Sequence, residues 1–273
     1  MIGDFLTGQH RSIRPGQGLE FRQYRTYQPG DDLRNLDWKL YARSDRFYIK
    51  ESEIESNIRV RFVLDASASM RHEDHHKIDK ISFARLIIAA LAYLSKYQGD
   101  SIGLFAWNDK QLYQVPVESR RGQFQRFLHE LIQIQAQGKF PVSQVGEVFS
   151  DQKRQKEMII VLTDLYQHQE EWQHFLKQLR GPRHEIIVFH LMAQNEMQLD
   201  YPRALTFEDW ETGERVPVDP KLSRQKYRGA LQVRLKKIRE DLLGEGIFYE
   251  LALMQLPLNE LIQQFLLRRK LLL

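Results

Sequence analysis

A strongly apolar run that ends in alternating oxygen-bearing side chains constrains this chain more than any other feature. Residues 60–70 read VRFVLDASASM. The β-branched run predicts a buried strand, and Asp65, Ser67 and Ser69 follow it at every second position. In a doubly wound sheet, ligands bind beyond the carboxyl ends of the central strands. Carboxylate and hydroxyl oxygens gathered at such an edge suit a hard cation such as Mg²⁺.

A second apolar run ends in the same way. Residues 157–166 read EMIIVLTDLY, which predicts a buried parallel strand that ends near Asp164. Because the carboxyl ends of neighbouring parallel strands meet at one edge of a sheet, we expect Asp164 to lie close enough to the serines to share one divalent ion. The alternative interpretation is that Asp65 and Ser67 only cap the helix that follows them.

The rest of the pattern predicts an α/β fold. Turn signals separate apolar strands from amphipathic helices, in an order that is typical of a doubly wound, mostly parallel six-stranded sheet. One further strand, at 111–117, is expected to be antiparallel and at the edge. The other predicted elements are strands at 101–107, 185–192 and 246–254, and helices at 78–98, 122–135, 170–179, 221–243 and 257–269.

Composition narrows the class of protein. The 273 residues suit one large α/β domain or two small ones, and a hydrophobic fraction of 42% supports a substantial core. The chain has no cysteine, which excludes disulfides and thiolate chemistry and favours a cytoplasmic location. No signal peptide or transmembrane segment is predicted. The net charge of +4 is spread among interspersed acids and bases, so it does not require a nucleic-acid partner.

Residues 1–57 differ from the rest, because glycines and charges replace the apolar periodicity. Residues 16–43 read GQGLEFRQYRTYQPGDDLRNLDWKLYAR, which predicts an irregular arm of turns and short strands. This pattern, placed shortly before the Asp-x-Ser-x-Ser loop, resembles the signature of the bacterial "domain of unknown function 58" family. The loop itself resembles the metal-ion-dependent adhesion site of von Willebrand factor A-type domains, with which members of that family pair the arm.

The resemblance implies a domain organisation. An amino-terminal arm over 1–57 is followed by a von Willebrand A-type, Rossmann-like domain over 58–273. Within that domain, Gly213 and its neighbours favour a turn, so a hairpin insertion is expected near 204–219. A helix is expected at the carboxyl end of the domain.

The resemblance also implies a set of metal ligands. In such domains two serines bind the cation directly, two aspartates bind nearby, often through water, and a later loop supplies a threonine. The matching positions here are Asp65, Ser67, Ser69 and Asp164, with Ser143 in the place of the threonine. The loop around Ser143 lacks the two glycines of the family pattern, which favours weak binding of Mg²⁺, or of Mn²⁺ or Ca²⁺ in its place.

By the same resemblance, the chain is expected to be a non-enzymatic protein-interaction module. One coordination position would stay open for a carboxylate of a client protein, and the module would serve as an adaptor or co-chaperone for a MoxR-type AAA+ ATPase.

Two other functions stay open. The first is a metal-dependent hydrolase or phosphatase in which Asp65 accepts the phosphoryl group. It is disfavoured because Ser67 stands where such phosphatases carry a second aspartate. The second is nucleic-acid binding through the basic amino-terminal arm, which rests on composition alone, and we expect no nucleic-acid partner.

Overall fold

The computed structural model describes residues 20–28, 36–53, 58–140, 156–166 and 171–272. These residues belong to two compact units, which divide between residues 57 and 58. In the first unit, strand β1 (Glu20–Thr26) pairs antiparallel with β2 (Tyr48–Glu53). Helix α1 (Trp38–Ser44), which the sequence pattern does not predict, begins after Asp37. The Asp37 side chain caps it by accepting from the backbone N–H groups of Lys39 and Leu40 at 2.9 Å.

A six-stranded sheet organises the second unit, and the predicted fold class is confirmed. Its strands are β3 (Arg59–Asp65), β4 (Ser101–Trp107), β5 (Leu112–Glu118), β6 (Glu157–Thr163), β7 (His184–Met192) and β10 (Phe248–Leu253). They follow the spatial order β10-β7-β6-β3-β4-β5. All neighbouring pairs are parallel except β4 with β5, which is antiparallel as predicted.

Helices cover both faces of this sheet. They are α2 (Lys80–Tyr97), α3 (Gln123–Gln133), α4 (Glu171–Leu179), α5 (Gln194–Gln198), α6 (Pro220–Gly244) and α7 (Leu258–Leu272). Successive side chains of β3 point to opposite faces of the sheet. Phe62 and Leu64 pack in the hydrophobic core on the face covered by α2, α3 and α7, and Val63 packs in the core on the face covered by α4 and α6. None of the helices in the described ranges is both long and apolar enough to cross a bilayer.

A separate two-stranded hairpin stands between β7 and α6 in the chain. Strands β8 (Leu205–Glu208) and β9 (Arg215–Val218) pair antiparallel with each other and belong to no larger sheet among the described residues. Most of their side chains are exposed. The hairpin therefore adds little to the hydrophobic core of the unit.

Strands β4 and β5 approach each other unusually closely at Gly103. Their register shifts between Ile102 and Leu104, so Gly103 lies at the irregularity. A Cβ atom at Gly103 would lie 2.6 Å from Val117 Cγ2 and 2.8 Å from the Val117 backbone nitrogen. Only glycine fits here without a shift of the edge strand.

We therefore expect Gly103→Ala to lower the free energy of unfolding by about 1–3 kcal/mol, the usual cost of overpacking a buried site. The matched control is Gly229→Ala, in the exposed interior of α6, where a Cβ would meet nothing within 4 Å. That change should raise stability by about 0.5–1 kcal/mol through helix propensity. Chemical denaturation measures both, and a Gly103→Ala protein as stable as the wild type would contradict the close approach.

Candidate functional site

Neighbouring strands β3 and β6 bring the two predicted aspartates to one edge of the sheet. Asp65 ends β3, and Asp164 directly follows β6, which is paired in parallel with β3. Thr163 Oγ1 donates to Asp65 Oδ2 at 2.8 Å, and the Ser67 backbone N–H donates to Asp65 Oδ1 at 2.9 Å. Asp65 and Asp164 are both almost wholly buried. Two hydrogen bonds from two elements thus fix the orientation of the Asp65 carboxylate.

The serine hydroxyls link the two aspartates. Ser67 precedes a short 3₁₀ turn, Ala68–Arg71, which places Ser69 beside it. The hydroxyls of Ser67 and Ser69 share a hydrogen bond of 3.0 Å, and Ser69 Oγ donates to Asp164 Oδ1 at 3.3 Å. Asp65, Ser67, Ser69 and Asp164 therefore lie together.

The spacing of these oxygens fits a small octahedral cation. Ligands about 2.1 Å from Mg²⁺ at neighbouring octahedral positions are about 3.0 Å from each other. The Ser67 and Ser69 hydroxyl oxygens have this separation, at 3.0 Å. Among the described residues, no group of three His, Cys, Asp or Glu side chains is arranged to hold a metal. A cation at this edge would therefore depend on the serine hydroxyls for part of its coordination.

The fifth predicted ligand, Ser143, lies outside the described residues, so its role stays a prediction. The chain that leads towards it packs on the serine loop as far as it is described. The Ala68 backbone N–H donates to the Gly138 carbonyl at 2.9 Å. Asn108 Nδ2 donates to the carbonyls of Ala66 and Gln135, at 3.3 and 3.2 Å. These bonds hold the segment after α3 against the serine loop.

A buried lysine balances part of the negative charge. Lys80, at the start of α2, donates from Nζ to Asp164 Oδ2 at 3.0 Å and to Glu196 Oε1 at 2.7 Å. Its side chain is 1% exposed. Burial lowers the pKa of Lys80, but Asp164 and then Glu196 outweigh that effect, so the pKa is raised overall. Lys80 therefore stays charged and occupies one oxygen of Asp164, which leaves Oδ1 facing Ser69.

The folded structure makes ionisation of the Asp65 carboxyl group less favourable. Burial, followed by the neighbouring Asp164, raises the pKa of Asp65 to about 6. A carboxyl group whose pKa is raised by folding favours the folded state only while it is protonated. The contribution of Asp65 to the free energy of unfolding is therefore present in full below about pH 4, the pKa of an aspartate in the unfolded chain. It is lost as the pH rises through about 6. At neutral pH a bound divalent cation would offset the repulsion between the two carboxylates.

Sequence reasoning missed three side chains at this edge: Thr163, Lys80 and Glu196. Thr163 stood next to a predicted ligand without being assigned a role, although it hydrogen-bonds to Asp65. Lys80 resembles any polar residue in a first helical turn, and Glu196 lies on the five-residue helix α5, which no periodicity indicates. No local pattern distinguishes Lys80 and Glu196 from surface charges.

Comparison with known proteins gives a clear family match. The model of the family described as "Protein of unknown function DUF58" matches residues 23–240. The uncharacterized protein Rv1480 of Mycobacterium tuberculosis is 26% identical over 231 residues, which are 82% of this chain and 72% of that protein. The uncharacterized protein Mb1516 of Mycobacterium bovis matches with the same figures, 26% over 231 residues.

The solved structures that match this chain share little sequence with it. An aerotolerance-related membrane protein from Bacteroides fragilis has a TM-score of 0.48 and 15% identity, over 79% of this chain and 100% of that one. The conserved hypothetical protein BatB from Bacteroides thetaiotaomicron has a TM-score of 0.46 and 16% identity, over 78% and 98%. A von Willebrand factor type A protein from Catenulispora acidiphila has 0.41 and 12%, over 80% and 43%. No functional conclusion follows from likeness at this level.

The position of Lys80 gives a testable prediction. Replacing it in Lys80→Met removes the ammonium group from the buried Asp164 and the partly buried Glu196, so the free energy of unfolding should fall by about 3–5 kcal/mol. The control is Lys236→Met, since Lys236 forms an exposed pair with Glu240 at 3.8 Å. This change should alter stability by less than about 0.5 kcal/mol. Equal stability of the two variants in urea denaturation would show that Lys80 does not balance the charge of the site.

Proposed function

This chain belongs to the DUF58 family, and from that premise we propose that it is a non-enzymatic protein-interaction module whose binding depends on a divalent cation. The convergence of two serine hydroxyls and two buried carboxylates at one sheet edge is the observation that carries the proposal. This edge lies beyond the carboxyl ends of central parallel strands, where open α/β sheets bind their ligands.

Each of the four residues has a distinct role in the proposed site. Ser67 and Ser69 would be direct ligands, because their hydroxyl oxygens have the separation of neighbouring ligands. Asp65 and Asp164 would contribute charge and hold water molecules that Mg²⁺ retains. Ser143 would add a third hydroxyl. The bound cation supplies a position that accepts an oxygen of an incoming carboxylate.

The cation and the partners follow from the resemblance of the sequence. Mg²⁺ is the first choice, with Mn²⁺ or Ca²⁺ as substitutes, since all three prefer oxygen ligands. The carboxylate would come from a client protein, and a MoxR-type AAA+ ATPase is the proposed partner that remodels the client. In this arrangement the chain brings the two together and performs no chemistry itself.

The position of Asp65 argues against a phosphatase. A nucleophilic aspartate must present one oxygen to the substrate phosphorus. Here Oδ2 accepts from Thr163, Oδ1 accepts from the Ser67 backbone, and Asp65 is only 2% exposed. This geometry favours a carboxylate that supports a site over one that attacks a substrate.

Affinity capture from a lysate of the source organism tests the proposal. With Mg²⁺ present, the wild-type chain should retain an AAA+ ATPase, and EDTA should release it. Asp65→Asn should abolish capture, because it removes one charge from the cation site. Asp219→Asn is the matched control, since Asp219 caps α6 by accepting from the Lys221 N–H at 2.9 Å and asparagine caps equally well.

The recovered proteins, identified by mass spectrometry, decide the outcome. The proposal expects a set that requires both the cation and Asp65 and that is the same for the wild type and Asp219→Asn. Recovery of the same set with Mg²⁺ and with EDTA would contradict the cation-dependent mechanism.

A further inference from the structure

Two exposed arginines lie beside the candidate cation site, and the first of them is Arg71. It ends the 3₁₀ turn that contains Ser69, and a hydrogen bond of 3.1 Å from the His72 backbone N–H to the Ser69 carbonyl closes this turn. A 3₁₀ turn rises about 2 Å per residue, and Arg71 comes only two positions after Ser69. The turn therefore fixes the backbone of Arg71 close to the serine loop.

The second arginine reaches the site from α6. Arg234 is exposed, and its Nη2 donates to the Leu165 carbonyl at 2.7 Å. Leu165 directly follows Asp164, and its backbone N–H donates to Thr163 Oγ1 at 3.1 Å. The Arg234 guanidinium group is therefore attached to the loop that carries the second aspartate of the site.

Aromatic rings hold both guanidinium groups. The Arg71 guanidinium carbon lies 5.5 Å from the ring centroid of Trp210, in the turn of the β8–β9 hairpin. The Arg234 guanidinium carbon lies 4.8 Å from the ring centroid of Tyr166. Such contacts are attractive, and they restrict the side chain while its N–H groups stay available for hydrogen bonds. Both arginines are thus pre-organised, so less conformational entropy is lost when they bind a ligand.

Within the described ranges, neither of these two guanidinium groups forms an ion pair with a carboxylate. Arg71 contacts its ring, and Arg234 contacts its ring and one carbonyl oxygen. Ten positions before Arg234 on the same helix, Arg224 does pair with an acid, Asp200, at 2.8 Å. The two arginines beside the site therefore present positive charge that a carboxylate from another molecule can use.

We propose that Arg71 and Arg234 form a recognition surface around the cation site, and that this surface selects an acidic segment of the partner protein. This inference rests on the proposed function. One carboxylate of the segment binds the cation, and neighbouring carboxylates pair with the two guanidinium groups, whose planar N–H groups match the geometry of a carboxylate. Trp210, which is 49% exposed, contacts the aliphatic part of the same segment.

A nucleic acid is the other polyanion that arginines commonly bind. Its affinity for a protein comes from many phosphate contacts along an extended basic surface. Two arginines beside a single cation suit a few carboxylates of limited spacing instead. The arrangement therefore favours an acidic protein segment, and nucleic-acid binding becomes an outcome that the experiment can detect.

Two labelled peptides test the recognition surface by fluorescence anisotropy in excess Mg²⁺. One is hexaglutamate, the other has a single Glu among Gln residues, and both have amidated carboxyl ends. They are titrated with the wild type, Arg71→Gln, Arg234→Gln and the double variant. The matched control is Arg126→Gln. Arg126 is exposed on α3, which begins near the amino-terminal end of β4, where Gln123 Nε2 donates to the Ile102 carbonyl at 3.2 Å.

The proposal predicts that each single change weakens hexaglutamate binding about fivefold, and the double change about 25-fold, since each removes one exposed ion pair with the peptide. Arg126→Gln should bind hexaglutamate as the wild type does. The single-Glu peptide should distinguish the proteins much less, because its one carboxylate binds the cation. Calorimetric titration with Mn²⁺ alone should show no weaker binding by the arginine variants, which would exclude damage to the cation site.

The contrary results differ from one another. If hexaglutamate binds the wild type and the double variant equally tightly and EDTA releases it from both, the recognition surface is overturned and the cation site stands. If hexaglutamate does not bind the wild type, or if oligothymidylate of equal length binds it more tightly, recognition of an acidic protein segment is overturned. If hexaglutamate binding persists in EDTA but is lost in the double variant, the surface stands and the cation-dependent function fails.

Discussion

Two carboxylates buried side by side at the ends of adjacent parallel strands are the constraint on which the rest of the site depends. Asp65 and Asp164 cannot both be charged in a dry environment without compensation. The domain supplies hydrogen bonds from Thr163 and the Ser67 backbone to one of them, and the ammonium group of Lys80 to the other. Lys80 also pairs with Glu196, so its single positive charge does not neutralise the group. A net negative charge remains at the edge, and the proposed divalent cation would balance it.

The same pair of strands is held by polar side chains at its other end. Arg61 Nε donates to Glu157 Oε2 at 2.9 Å, and Arg59 Nε donates to Glu157 Oε1 at 3.1 Å, which joins β3 to β6. This interaction favours one register of β3 against β6, because a slip by one residue would move every side chain to the other face. The relative positions of Asp65 and Asp164 follow from that register. The geometry of the candidate site is thus determined partly by Arg59, Arg61 and Glu157, which lie towards the amino-terminal ends of β3 and β6.

Much of the fold could be predicted from the sequence, because buried strands and amphipathic helices have strong local periodicity. Strand β4 was predicted with its observed limits, Ser101–Trp107, and the antiparallel edge strand was placed within one residue. The proximity of Asp65, Ser67, Ser69 and Asp164 could be predicted because each ends or follows a recognisable strand, whereas their role as metal ligands stays a prediction. Helix α1 was missed because its seven residues carry no buried side chains in the structure and hence no apolar pattern.

The charges around the site could not be predicted, because their roles arise from contacts between distant parts of the chain. Lys80 reaches Glu196 across 116 positions, and neither residue differs from a surface residue in its own neighbourhood. Such residues become visible only when the sheet has brought the elements together.

A crystal structure of the protein soaked in MnCl₂, with data recorded for the anomalous signal of manganese, would test the central claim most directly. The account predicts one strong anomalous peak within about 2.5 Å of the hydroxyl oxygens of both Ser67 and Ser69, on the side that faces Asp164. A well-ordered site with no peak at that position, at a Mn²⁺ concentration that labels other sites, would contradict it.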